Sequence, residues 1–93
     1  MTENLARIIA AVAKHARDAA AYHEHMAATP GLNPGLASSH RWLAKRFLMA
    51  AVRVEQKDPE TIKWVCGCLA LDALFDEYEL EVRRAEADTD PSP

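Results

Sequence analysis

Apolar residues repeat at alternating steps of four and three in three separate stretches of this chain, and prolines stand between the stretches. Leu5, Ile9, Val12, Ala16, Ala19, His23 and Met26 form the first line. Leu43, Phe47, Ala50 and Val54 form the second, widened on one side by Ala44, Leu48 and Ala51. Trp64, Cys68, Leu71, Phe75, Tyr78, Val82 and Ala85 form the third. Such steps track the 3.6-residue helical period, so each stretch reads as a helix with a buried stripe. The expected fold is all-α: three long antiparallel helices over about 2–28, 38–57 and 59–85, a Pro-Gly loop at 29–37 and a disordered acidic tail.

The punctuation agrees with those bounds. Thr2 can cap the first helix. Thr29 precedes Pro30, which pushes it away from helical dihedrals and ends that helix. Pro30-Gly31-Leu32-Asn33-Pro34-Gly35-Leu36 writes one four-residue unit almost twice, and each Pro-Gly favours a tight turn. Ser38 or Ser39 is the expected cap of the second helix. Asp58 then caps the third, with Pro59 in a first turn where no backbone N–H is required.

A length of 93 residues makes one domain, read as a bundle over 1–86 with a flexible tail over 87–93. Eighteen alanines favour helix but add little bulk, so the helices must approach closely or borrow a partner's surface. No signal peptide or apolar run long enough to span a bilayer stands out, and a cytoplasmic location without a membrane partner is expected. The alanine-rich, Arg-over-Lys composition points to a bacterial or phage genome.

The charges are sorted. Residues 38–57 carry five bases against Glu55 alone, whereas residues 58–93 carry ten acids against three bases. An antiparallel second and third helix would set Lys45 near Asp72 and Arg41 near Asp76. The third helix is the longer of the two, so its acidic Asp76–Glu86 end overhangs, to be covered by the first helix or by another chain. Self-association as a helical-hairpin homodimer, with the third helix at the interface, follows as an expectation.

Little chemistry is written here. His23 and His25 point about 200° apart on a helix and cannot hold one ion, and His15 is two turns from His23. His15 and His23 are expected at the core edge, one of them meeting Asp76 or Glu79, with His25 in water. Cys66 and Cys68 fail the same geometric test and read as buried packing thiols. Gly67 between them reads as the point of close approach for another helix. Asp72, in an apolar run, reads as the structural partner of Lys45 or Arg41. No catalytic motif or phosphate-cradling loop appears, so neither an enzyme nor a cofactor or metal is expected.

The sharpest feature is a second line on the second helix: Trp42, Arg46, Met49 and Arg53, at steps of four, three and four. It runs beside the core line, on the edge away from Ala44, Leu48 and Ala51. Trp, Arg and Met are enriched in protein interfaces; the competing reading has Trp42 and Met49 broaden the core while the arginine stems lie along its edge. Together with Asp76, Glu77 and Glu81 these residues form the expected partner-binding set. The reading is a small non-enzymatic protein–protein interaction module, an accessory or inhibitor protein of a bacterial or phage system that binds a helical or coiled-coil partner. The alternative is a dimeric nucleic-acid-associated regulator using the basic second helix. A net charge of −3, a long first loop unlike that of a helix-turn-helix, and the acidic last third weigh against it.

Overall fold

A computed structural model describes residues 3–89. They form four helices: α1 (Glu3–Ala27), α2 (Pro34–Glu55), α3 (Pro59–Cys68) and α4 (Asp72–Thr89). No strand is present among the described residues. The expected cap Thr2 and the tail residues 90–93 lie outside them. Residues 87–89, expected as tail, continue α4.

Most of the packing is between α1 and α2. Ile8, Val12 and Ala16 of α1 and Val54 of α2 are fully excluded from water, as are Ile62 and Val65 of α3. Ala13 and Ala20 in α1, facing Ala44, Ala50 and Ala51 in α2, are almost as deeply buried. Small side chains thus make up much of this buried seam. At the far end of the hairpin, Arg17 of α1 pairs with Glu55, the lone acid of the basic segment. That pair is half exposed and contributes at most about 1 kcal/mol.

The loop between α1 and α2 is shorter than 29–37. Only its first Pro-Gly is a turn: Gly31 has φ +79°, and the Leu32 amide donates to the Thr29 carbonyl at 3.3 Å. The second is helix. Pro34 and Gly35 open α2, and the Asn33 side chain accepts from the Gly35 amide at 2.8 Å. Proline needs no amide partner there, so the helix starts four residues before Ser38.

The main correction concerns the third long helix. It is two helices, broken at Leu69–Leu71. The Leu71 amide donates to the Cys66 carbonyl at 2.9 Å while Ala70 takes a left-handed φ of +54°. This is the 6→1 bond of a Schellman ending, with alanine at the position glycine usually fills. The Lys57 corner after α2 has the same form: φ is +66°, and the Asp58 amide donates to the Arg53 carbonyl at 3.1 Å.

After the break the chain folds back. α4 packs on α3 and α1, and among the described residues its backbone does not come close to α2. Phe75, Tyr78 and Val82 thereby reach the core as half-buried neighbours. Arg7 Nη2 of α1 lies 3.4 Å from Glu77 Oε2 of α4. The expected Lys45–Asp72 and Arg41–Asp76 pairs are consequently absent among the described residues. The molecule is elongated, 65 × 21 × 18 Å. No described helix is long and apolar enough to cross a membrane.

Candidate protein-docking face

The core of α2 faces α1 through Ala44, Phe47, Ala51 and Val54, which turns the opposite side of the helix outward. Trp42 and Met49 are both 59% exposed there, and Val52 is 52% exposed. Arg46 and Arg53 are exposed as well, so all four residues of the Trp42–Arg53 line lie on the surface. Leu48, expected to widen the core, is also outside it, at 43% exposure. A helix of 22 residues that is buried only on its alanine-rich side leaves these large apolar groups without intramolecular cover.

Arg46 organises the face. Its guanidinium carbon lies 5.3 Å from the Trp42 ring centre and 5.0 Å from that of Trp64 on α3. Contact with two rings restrains this exposed side chain. Trp64 is fixed in turn by Phe47, whose ring centre is 5.3 Å away. The sequence line therefore missed one member, Trp64, which the Asp58–Pro59 corner brings from α3. Its place on the apolar line of the third stretch marked it only as core.

Beside Arg46 an open cleft of about 350 Å³ runs between α2 and α3, lined by Met49, Arg53, Thr61 and Trp64. Asp58 and Glu60 form its α3 rim. Asp58 is held at the helix start, where its carbonyl accepts from the Ile62 amide at 3.0 Å and its carboxylate accepts from the Thr61 hydroxyl. No ion pair involves Arg41, Lys45, Arg46 or Arg53 among the described residues.

The acidic members of the expected set do not share this surface. Asp76 and Glu77 are exposed on α4, and Glu77 is engaged by Arg7. Glu81 is turned inward, its side chain 7% exposed and accepting from Arg84 Nη1 at 2.9 Å. The structure thus brings Trp42, Arg46, Met49 and Arg53 together and leaves Asp76, Glu77 and Glu81 on another helix.

The histidines are arranged differently from expectation. His23 meets neither Asp76 nor Glu79; its Nδ1 lies 2.8 Å from Nδ1 of His40 on α2. Burial, with a smaller contribution from His40, holds the His23 imidazole below its usual pKa. His15 is exposed near Asp72 rather than at the core edge, and His25 faces water. Among the described residues no group of three His, Cys, Asp or Glu is placed to hold a metal ion.

Cys66 is buried, and burial, followed by the nearby Asp72 charge, raises its thiol pKa. Cys68 is exposed, against expectation. Gly67 has no neighbour within 4 Å of a Cβ built on it, so no helix approaches there. Both differences follow from the end of α3, which lifts Gly67 and Cys68 off the core just before the chain reverses. Asp72 opens α4, exposed, in a first turn that favours a carboxylate.

Compared with known protein families, with curated proteins and with solved structures, the chain matches none.

Proposed function

We propose that this chain is a small non-enzymatic protein–protein interaction module whose docking face is the Trp42, Arg46, Met49 and Arg53 line with Trp64 behind it. The observation that carries this reading is the exposed Trp42–Arg46–Trp64 stack. Two indole rings flank an arginine that has no carboxylate partner among the described residues, on a basic helical face that also exposes Met49 and Val52. Buried aromatic and arginine anchors dominate binding energy at interfaces. A helical or coiled-coil surface is the natural complement of a straight helix that offers residues at steps of three and four. The alanine-rich, arginine-rich composition fits an accessory or inhibitor protein of a bacterial or phage system.

The test is capture from a nuclease-treated lysate of the source cells with immobilised wild-type chain and with a Trp42→Ala/Arg46→Ala variant. A discrete protein retained by the wild type and lost with the variant is the expected result. Equal recovery by both would remove this face from the interaction.

A second reading, a dimeric nucleic-acid-associated regulator, is favoured by the exposure of Arg41, Lys45, Arg46, Arg53 and Lys57 on one helix and its corner. It predicts duplex binding that falls steeply with salt. Absence of a mobility shift with a generic duplex at low salt rules against it.

A further inference from the structure

We propose that the occupant of the docking face is α4 of a second copy of this chain, antiparallel to α2, with Trp42 against Leu80, Arg46 against Asp76 and Met49 against Ala73. This rests on the reading of that face as a docking surface and names what covers it.

Three observations converge on this pairing. The first is charge. The outer side of α2 carries Arg41, Lys45, Arg46 and Arg53, and the first turns of α4 expose Asp72, Asp76 and Glu79, with Glu77 engaged by Arg7 and Glu81 turned inward. Among the described residues these two helices do not approach each other within one chain, because the break at Leu69–Leu71 turns α4 away from α2. Two copies bring them together, whereas α2 against α2 would set like charges opposite one another.

The second is register. On α4 the exposed residues Ala73, Asp76 and Leu80 lie on one outward line, with Leu80 47% exposed. Read from Leu80 backwards, their steps are four and three, matching Trp42, Arg46 and Met49 read forwards. An apolar residue thus meets an apolar residue, an arginine meets a carboxylate, and Met49 meets a small alanine that leaves room for it.

The third is preorganisation. The Trp42 and Trp64 rings, 5.3 and 5.0 Å from the guanidinium carbon, restrict the Arg46 side chain, and a guanidinium can receive a carboxylate through two parallel N–H donors. In a two-fold pair each copy's α2 takes the other's α4, so the contact is made twice.

Sedimentation of the full chain, from micromolar to sub-millimolar concentration at low salt, tests this. Self-association that weakens as salt is raised is expected. Arg46→Glu and Asp76→Lys should each weaken it at least about 30-fold, since each sets like charges in contact. An equimolar mixture of the two variants should recover association, because one contact is then exchanged and the other is native. Both substitutions are at exposed positions, and far-UV circular dichroism checks that the variants stay folded. A monomer throughout, or folded variants that fail to recover on mixing, overturns the pairing. If the wild type is monomeric yet still captures a lysate protein in a Trp42- and Arg46-dependent way, the face remains a docking surface with another occupant. Failure of both experiments removes the docking face itself.

Discussion

His23 of α1 and His40 of α2 face one another across the hairpin with their Nδ1 atoms 2.8 Å apart, and the His23 ring stacks parallel to Phe47 at 5.8 Å between centres. One nitrogen must donate and the other accept, so the contact cannot survive protonation of both rings. The folded His23 resists its proton, while in the unfolded chain it titrates near its ordinary value of 6.5. The unfolded state therefore binds more protons below that pH, and the contribution of this pair to stability is complete above about pH 6.5 and falls as pH drops through the folded value. Thermal melts of wild type and His23→Phe between pH 7.5 and 5 are the check. The wild type should lose stability on acidification more steeply than the variant; parallel profiles would contradict the coupling.

The two helix endings without glycine lead to a stability prediction. Lys57 and Ala70 hold left-handed φ values of +66° and +54°. Side chains with a Cβ are disfavoured there, while glycine adds flexibility to the unfolded chain. Ala70→Gly and Lys57→Gly should each stabilise the protein by about 0.5–1 kcal/mol in urea unfolding. Loss of stability at Ala70 would mean that the α3–α4 reversal is not a Schellman ending.

Core and surface should separate cleanly under mutation. Ile62 and Val65 have no exposed surface and tie α3 to the hairpin. Ile62→Ala is expected to cost about 2–5 kcal/mol, a large part of the stability of a chain of this size. Met49→Ala, at a position 59% exposed, should stay within about 0.5 kcal/mol of wild type.

The two thiols should differ in reactivity. Cys68 is exposed, whereas Cys66 is buried with its pKa raised by that burial. The thiolate is the reactive form, so native protein at mildly alkaline pH should take up one equivalent of a thiol reagent quickly, at Cys68. The second equivalent should await unfolding, and Cys68→Ser should abolish the fast phase.

The residues that were legible from sequence are those governed by local rules. Proline and the period of apolar residues placed α1, the Asp58–Pro59 corner and the buried line from Leu5 to Ala16. The Trp42–Arg53 line was legible as a line at helical spacing beside Phe47 and Val54. Its exposure was not, since a core broadened by Trp42 and Met49 with arginine stems along its edge fits the same steps. The break at Leu69–Leu71 was not, because the usual signals are missing: alanine stands where glycine would mark the end, and no proline follows. The apolar residues that fill every face from Ile62 to Leu74 were the remaining signal, since two helices with different buried sides are superposed there. Long-range partners escaped as well. The His23–His40 contact and the place of Trp64 beside Arg46 depend on how helices are juxtaposed, which no spacing along the chain encodes.

Equilibrium unfolding in urea of the Trp42→Ala/Arg46→Ala variant asks most directly whether the Trp42–Arg53 line is a surface held ready for a partner or a strip of core. If it is a surface, the variant keeps its helicity, its unfolding slope and its stability to within about 1 kcal/mol, while losing the captured partner. A loss of several kcal/mol, or a chain that no longer unfolds cooperatively, would show that these residues build the fold and that the docking face is elsewhere.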